Sequence, residues 1–129
     1  MRRMISSKNV TSRYIDNLFK KADTFKQSPS VNKWTNKVMV NACFNADTNA
    51  SLPFESAMYR LGGSVIKYNT DASDAKKPGS LQDTIKTLSH YGDIMTLQHQ
   101  DKEIYQYANH HTTIPIINIC NGNSDNSIQ

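Results

Sequence analysis

The sequence predicts an α/β fold, in which a four-stranded parallel sheet carries helices on both faces. One observation is that segments with apolar residues at helical spacing alternate with short apolar runs typical of buried strands. Another is that no internal repeat or low-complexity linker divides the 129 residues, a length typical of a single domain. Alternating strands and helices form parallel sheets with right-handed crossovers. We therefore expect one domain over residues 1–129, with flexible ends at 1–10 and 121–129.

The first half of the chain predicts two helices and two strands. A helix is expected over residues 12–26, with apolar residues on one face and lysines on the other. Residues 37–44 form an apolar run that predicts the first strand. The second helix should have Pro53 in its first turn and Gly62 at its C-terminal cap, before a strand over 64–68. The apolar positions are Ile15, Leu18, Phe19, Ala22 and Phe25 in the first helix and Phe54, Ala57, Met58 and Leu61 in the second.

The second half continues the alternation and locates the expected site. A third helix should bury Leu81, Ile85 and Leu88, and a weaker fourth helix is expected over 101–109. Strands are predicted over 93–97 and 114–120. Because parallel sheets bind ligands at the carboxyl ends of their strands, a site is expected there. Those ends are the segments 45–51, 69–79, 98–101 and 121–129.

Charge and hydropathy exclude some protein classes and leave one alternative open. The net charge is +4, but residues 1–37 hold nine Lys and Arg against two Asp. Such a basic end can attract nucleic acid or acidic membrane, although no aromatic residues interleave with the basic ones. A solvated helix face is the simpler interpretation. No apolar run approaches the ~20 residues that span a bilayer, and no signal sequence is visible, so a cytoplasmic location is expected.

The cysteines and histidines predict no metal centre and no cofactor. Cys43 and Cys120 each lie in an apolar run and are expected to be buried, reduced thiols. His110 and His111 are adjacent, so their side chains point in different directions and rarely share a metal. No Cys or acidic partner stands at ligand spacing beside them.

Residues 41–66 carry a resemblance to a known family. They include Phe54-Glu55, Ala57-Met58 and Arg60-Leu61-Gly62-Gly63, which resemble the strand–loop–helix of the carbamoyl-phosphate domain of aspartate carbamoyltransferases. Leu88, Tyr91 and Asp93 also fall at that family's spacing, and favour the aspartate branch over the ornithine branch. The resemblance extends from about residue 5 to residue 129. It implies the same α/β fold.

The phosphate-binding loop departs from the family's pattern. The family has Ser-Thr-Arg-Thr-Arg between its first strand and second helix, where backbone N–H groups, hydroxyls and an arginine bind the phosphate. Only one of these residues is matched here. The positions are occupied by Asp47, Thr48, Asn49, Ala50 and Ser51.

Other positions of the implied site are partly kept. The family's mobile-loop serine and lysine correspond to Ser73 and Lys77. Its Arg-His pair after the third strand is Gln98-His99 here. Its His-Pro-Thr-Gln motif aligns with residues 126–129, where Asn126 replaces the histidine and Gln129 is kept.

Together, the resemblance and these departures from the family's pattern imply a degenerate domain. Such a domain would be non-catalytic on its own and would act as a binding or assembly module. Its partner would be a second copy in a trimer-like assembly, an intact carbamoyltransferase or a separate second domain. Carbamoyl phosphate is expected to bind weakly or not at all. The alternative is the carbamoyl-phosphate-binding half of a split carbamoyltransferase, in which case the reaction would be carbamoyl transfer to an amino acid.

Overall fold

The computed structural model describes residues 11–28, 32–44, 49–70 and 80–120. In these ranges, four helices and four strands alternate along the chain, as the sequence predicts. One turn of 3-10 helix, Asn49–Ser51, precedes the second helix. The helices are α1 (Ser12–Gln27), α2 (Leu52–Arg60), α3 (Ser80–Leu88) and α4 (Lys102–His111), and the strands are β1 (Val38–Cys43), β2 (Ser64–Asn69), β3 (Ile94–Gln98) and β4 (Ile116–Cys120).

The strands form one parallel sheet in the order β2-β1-β3-β4, which confirms the predicted fold class. The register aligns the strand ends, because Cys43 pairs with both Asn69 and Gln98, and Gln98 also pairs with Cys120. The last residues of all four strands therefore lie at one edge of the sheet. This carboxyl edge is where the sequence predicts the site.

Helices cover both faces of the sheet. α2 packs against β1 and β2 on one face, while α3 and α4 pack against the sheet and each other on the opposite face. The core on that face includes Val40 and Ala42 of β1 and Ile85 of α3, all fully buried. The predicted burial of Leu81, Ile85 and Leu88 is confirmed.

The limits of α2 follow from local sequence. Pro53 occupies the first turn, where its missing N–H costs no hydrogen bond. Gly62 follows the helix with a φ of +82°, and a Cβ at this position would lie 2.9 Å from Asn32 Cα. Glycine is therefore required both by the backbone conformation and by the close approach of the neighbouring turn.

The apolar face of the predicted helix α1 is exposed. The helix forms, and the Thr11 side chain accepts a hydrogen bond from the Tyr14 N–H at its start, but it contains no buried residue. Ile15, Leu18, Phe19 and Phe25 are 39% to 66% exposed. An amphipathic pattern shows that a helix has an apolar face, but it does not specify what covers that face.

The predicted apolar face of α2 is only partly correct. Met58 is buried as expected, whereas Phe54 and Leu61 are half-buried and Ala57 is exposed. The other buried residue of the helix is the charged Glu55. The face of α2 that meets the sheet is therefore rotated from the one that hydrophobicity alone predicts.

Candidate functional site

The carboxyl edge brings together some of the predicted site residues. Ala50 and Ser51, at the start of α2, are both buried. Gln98 ends β3, and His99 follows it. Asn49 opens the 3-10 turn beside them. The other predicted site residues lie outside the described part of the chain, namely Asp47, Thr48, Ser73, Lys77, Asn126 and Gln129.

Gln98 is held inside the sheet rather than directed to solvent. Its side chain is 2% exposed, and its Oε1 accepts a hydrogen bond from the Cys43 Sγ at 3.2 Å. The backbone carbonyl of Gln98 accepts another hydrogen bond, from the N–H of Phe44. These bonds join the ends of β1 and β3 and place a neutral amide at this point of the edge.

His99 is a half-buried imidazole in a fixed hydrogen-bonded loop. Its Nδ1 accepts a hydrogen bond from the Asp101 N–H at 2.9 Å, so the proton of the neutral ring is assigned to Nε2. The backbone N–H and carbonyl of His99 both bond to the Tyr105 hydroxyl. Burial lowers the pKa of His99, and the backbone bond and charge of Asp101 offset only part of that effect. The ring is therefore neutral at pH 7.

Aromatic rings line the same edge. Phe44, directly after β1, is buried, and its ring centroid lies 5.7 Å from that of Tyr68 and 5.9 Å from that of His99. These tilted and edge-on contacts are favourable arrangements for aromatic pairs. They surround the end of β1 with apolar surface.

A buried polar network connects this edge to α2 and was missed by the sequence analysis. Asn41 donates from Nδ2 to Glu55 Oε1 at 2.7 Å, and Ser51 Oγ donates to the same oxygen at 3.1 Å. Thr96 Oγ1 donates to Asn41 Oδ1 at 3.0 Å. The Lys67 ammonium lies 2.6 Å from Glu55 Oε2. The network therefore links β3, β1, α2 and β2.

Glu55 is the charged centre of that network. Burial alone would raise the pKa of Glu55, but the hydrogen bonds from Lys67, Ser51 and Asn41 and the charge of Lys67 outweigh it. The pKa of this carboxyl consequently lies below its usual range, and the group is ionised at pH 7. The same bond and charge raise the pKa of Lys67. The first turn of α2 thus contains a paired carboxylate.

A sequence signal for this network was available. Asn41 and Thr96 stand in the middle of otherwise apolar strands, and buried polar side chains need hydrogen-bonding partners. Glu55 precedes Met58 by one helical turn, so the two residues share a face. Polar residues inside predicted strands therefore point to a buried polar partner on the covering helix.

The described part of the chain contains neither a metal-binding cluster nor a membrane-spanning helix. Over 11–28, 32–44, 49–70 and 80–120, no cluster of three or more His, Cys, Asp or Glu residues has the arrangement of a metal site. In the same ranges, no helix has the length and apolar character needed to cross a bilayer. Cys43 is buried and forms no disulfide, as expected.

Comparison with known proteins gives a consistent family match. The family model described as "Aspartate/ornithine carbamoyltransferase, carbamoyl-P binding domain" matches residues 2–129. The aspartate carbamoyltransferase catalytic subunit of Thermococcus onnurineus is 39% identical over 94 residues, covering 72% of this chain and 30% of its own length.

Solved structures agree with this match. The aspartate transcarbamoylase of Trypanosoma cruzi in complex with phosphate superposes with a TM-score of 0.86 and 27% identity, covering 94% of this chain and 39% of its own. The catalytic subunit of M. jannaschii aspartate transcarbamoylase gives a TM-score of 0.82 and 29% identity, covering 98% of this chain and 43% of its own. The chain spans less than half the length of each of these three relatives.

Proposed function

Since this chain belongs to the aspartate/ornithine carbamoyltransferase family, we propose that it is a non-catalytic member that acts as a binding or assembly module. The observation that carries the proposal is that the Gln98 side chain is buried and hydrogen-bonded inside the protein. The family's pattern has an arginine at this position, whereas here a neutral amide is buried and bonded to Cys43. A buried amide cannot supply the positive charge that a phosphate dianion needs.

The start of α2 supports the same conclusion. Asn49 and Ser51 stand where the family's loop has arginines, and Ser51 is buried with its hydroxyl donated to Glu55. The N-terminus of a helix favours an anion by up to about 2 kcal/mol. Asp47, which precedes this turn in the sequence, carries a negative charge. The helix alone therefore provides only weak attraction for phosphate.

Typical interaction energies set an upper limit on the affinity for phosphate. Losing one arginine–phosphate contact from a desolvated site costs about 2–5 kcal/mol. A millimolar dissociation constant corresponds to only about 4 kcal/mol of binding free energy. We therefore expect carbamoyl phosphate and inorganic phosphate to bind no more tightly than millimolar, in contrast to the T. cruzi relative, whose structure was solved in complex with phosphate.

Calorimetric titration with carbamoyl phosphate and with inorganic phosphate tests this proposal. The original chain is compared with a variant carrying Asp47→Ser, Asn49→Arg and Gln98→Arg. We expect binding to be undetectable at micromolar concentrations in the original chain and to be stronger by at least tenfold in the variant. Gln100→Arg, which adds one charge at an exposed position near the edge, is the control for non-specific attraction.

Micromolar phosphate binding by the original chain would overturn the proposal, especially if Asp47→Ser left that affinity unchanged. Equal gains from Gln100→Arg and from the triple variant would also count against it, because the gain would then not depend on the family's positions. Circular dichroism of each variant separates lost binding from lost folding.

The assembly role is supported by exposed apolar residues on helix α2 and on the neighbouring edge strand. Leu52 and Tyr59 lie on the same face of α2, two turns apart, and Ile66 lies on the edge strand β2. All three side chains are exposed. Sedimentation velocity over a concentration series should show self-association that Leu52→Ser with Tyr59→Ser weakens. A monomer at high micromolar concentration would remove the support for self-assembly.

A second candidate function is the carbamoyl-phosphate-binding half of a split carbamoyltransferase. It is favoured by the comparison with the M. jannaschii catalytic subunit, because this chain matches 43% of that protein's length and the remainder is unmatched. Transfer requires both reactants to be held together. To test this alternative, the chain is mixed with a separate second domain and carbamoyl transfer to aspartate is measured. Activity that Thr48→Ala abolishes would favour this alternative over the non-catalytic role.

A further inference from the structure

Hydrogen bonds around His99 close the loop between β3 and α4. The Asp101 N–H donates to His99 Nδ1 at 2.9 Å, and the Asp101 carboxylate accepts the Glu103 N–H at 2.9 Å, which caps α4. The Tyr105 hydroxyl accepts the His99 N–H at 2.8 Å and donates to the His99 carbonyl at 2.9 Å. The start of α4 is therefore tied to the end of β3 through His99.

The bond from Asp101 depends on the protonation state of the imidazole, whereas the Tyr105 bonds do not. Tyr105 is buried and binds backbone atoms of His99, so it holds that backbone in either state. The ring itself lies edge-on against the buried Phe44. The Asp101 N–H, in contrast, needs the lone pair of Nδ1. His99 thus combines a fixed backbone with an acceptor that can be titrated.

Protonation removes that acceptor. In an imidazolium both ring nitrogens carry hydrogen, so a donor on Nδ1 would face the Asp101 N–H, which is also a donor. Gln100 and Asp101 are exposed, so the released N–H can bond to water once the loop moves. Because Asp101 also caps α4, its movement loosens the first turn of that helix.

We propose that the His99 imidazole is a pH-sensitive latch. When neutral, it closes the loop between β3 and α4 by accepting the Asp101 N–H. When protonated, it releases Asp101 and the first turn of α4, while Tyr105 keeps the His99 backbone in place as the hinge.

The direction of the switch follows from the surroundings of the ring. Burial is the largest influence on His99 and lowers its pKa, while the backbone bond and the carboxylate of Asp101 offset part of this effect. The latch is therefore closed at pH 7 and opens at a pH below about 6.5. The described neighbours on the adjoining elements add aromatic rings or exposed charges of opposite sign. They are Phe44 after β1, Tyr105 of α4, and Lys102 and Glu103 in the first turn of α4.

The latch acts at the carboxyl edge of the sheet. Residues 99–101 follow β3 there, and His99 adjoins Phe44 at the end of β1. Opening changes the order of this edge without disturbing the sheet, because Gln98 stays paired with Cys43 and with Cys120. The latch does not depend on the proposed function, since it requires no phosphate at the edge.

Nuclear magnetic resonance of the 129-residue chain tests the latch between about pH 7.5 and pH 5. The His99 ring shifts report its protonation, and amide hydrogen exchange, corrected for its intrinsic pH dependence, reports the protection of Asp101 and Glu103. We expect this protection to fall about fivefold or more, with the same midpoint as the ring. At the higher pH, the nitrogen shifts should show a neutral ring protonated on Nε2.

Two variants at position 99 separate the acceptor from the charge. In His99→Asn the side-chain oxygen can accept the Asp101 N–H but does not titrate, so the protection should be independent of pH. His99→Phe keeps an aromatic ring beside Phe44 but has no acceptor, so the protection should be low throughout the range. His90→Asn, at an exposed position, is the matched control and should keep the response of the original chain.

Constant protection of Asp101 while His99 titrates would overturn the latch, as would a neutral ring protonated on Nδ1. An equal pH response in His99→Asn would also overturn it, because the response would then come from another group. The amides of β3 serve as the internal reference. If they lose protection together with Asp101, the whole domain opens rather than the loop, and the latch is refuted.

Discussion

The Lys67 ammonium and the Glu55 carboxylate form an ion pair, with Nζ 2.6 Å from Oε2, in which one partner is buried and the other is exposed. The Glu55 side chain is 8% exposed and the Lys67 side chain is 52% exposed. Position 51, four residues before Glu55, has an arginine in the family's pattern and a serine here. Lys67 therefore supplies a positive charge to this carboxylate from the neighbouring strand.

We expect Lys67→Met to destabilise the chain clearly more than Lys37→Met. Removing Lys67 leaves a buried carboxylate without its cation, and such uncompensated charges are strongly destabilising. Lys37 pairs with Asp93 at 2.7 Å, but that carboxylate is 35% exposed and also accepts the Val38 N–H. Thermal unfolding of both variants measures the difference. Equal losses would mean that the burial of Glu55 does not matter.

A companion variant tests whether the charge of Lys67 replaces the positive charge that the family's arginine would supply at position 51. Ser51→Arg places a guanidinium one helical turn before Glu55, where it can pair with the carboxylate. In that background, Lys67→Met should cost less stability than it does in the original chain. A double-mutant cycle gives the coupling between the two positions. Additive effects would contradict the compensation.

The pH dependence of stability should contain a contribution from Glu55. Its pKa is lower in the folded chain than in the unfolded chain, so its stabilisation is complete above the unfolded value and is lost as the pH falls through the folded value. Unfolding free energies should decline as the pH drops below about 4. Glu55→Gln should be less stable at pH 7 but show a shallower decline. A decline of the original steepness would contradict this assignment.

His99 should also contribute to the pH dependence of stability, at a higher pH than Glu55. Burial lowers its pKa in the folded chain, so the unfolded chain binds the proton more readily. Stability should therefore be complete above about pH 6.5 and fall as the pH decreases from that value. His99→Asn keeps an acceptor for the Asp101 N–H and should flatten the profile between pH 7 and 5. His90→Asn, at an exposed position, is the matched control, and an equal effect there would refute the assignment.

Shortening an apolar side chain to alanine should reduce stability much more in the core than on α1. Ile85 is completely buried in the cluster beneath α3 and α4, so Ile85→Ala should cost about 2–5 kcal/mol. Phe19 is larger but exposed, and Phe19→Ala should change the stability of the chain alone by less than about 0.5 kcal/mol. Urea unfolding compares the two variants. A large loss from Phe19→Ala would show that the apolar face of α1 is covered within this chain.

Much of the fold was predictable because its signals are local. Leu81, Ile85 and Leu88 repeat at helical spacing, and Gly62 marks the end of a helix through its backbone freedom. The exposure of the α1 apolar face could not be predicted, because the covering of a helix face depends on residues distant in the sequence. Glu55 was missed because hydrophobicity treats every glutamate as a surface residue, whereas Asn41 and Ser51 provide partners for it inside the protein.

The candidate site was predictable as a location but only partly as an arrangement of residues. Parallel strands ending in register guarantee that the segments after Cys43 and Gln98 are neighbours. Nothing in the sequence indicates that the Gln98 amide bonds to the Cys43 thiol. This hydrogen bond depends on which residues of β1 and β3 stand opposite each other in the sheet. The predicted roles of Asp47, Lys77 and Asn126 remain predictions, because these residues lie outside the described ranges.

The contact between Cys43 and Gln98 also provides a built-in kinetic reporter. The chain has two cysteines, so Cys120→Ser leaves Cys43 as the single thiol. Because that thiol is buried between the ends of β1 and β3, a water-soluble alkylating reagent can modify it only when the two strands separate locally. The rate of modification therefore measures how often the carboxyl edge of the sheet opens, and any ligand that binds there would slow it.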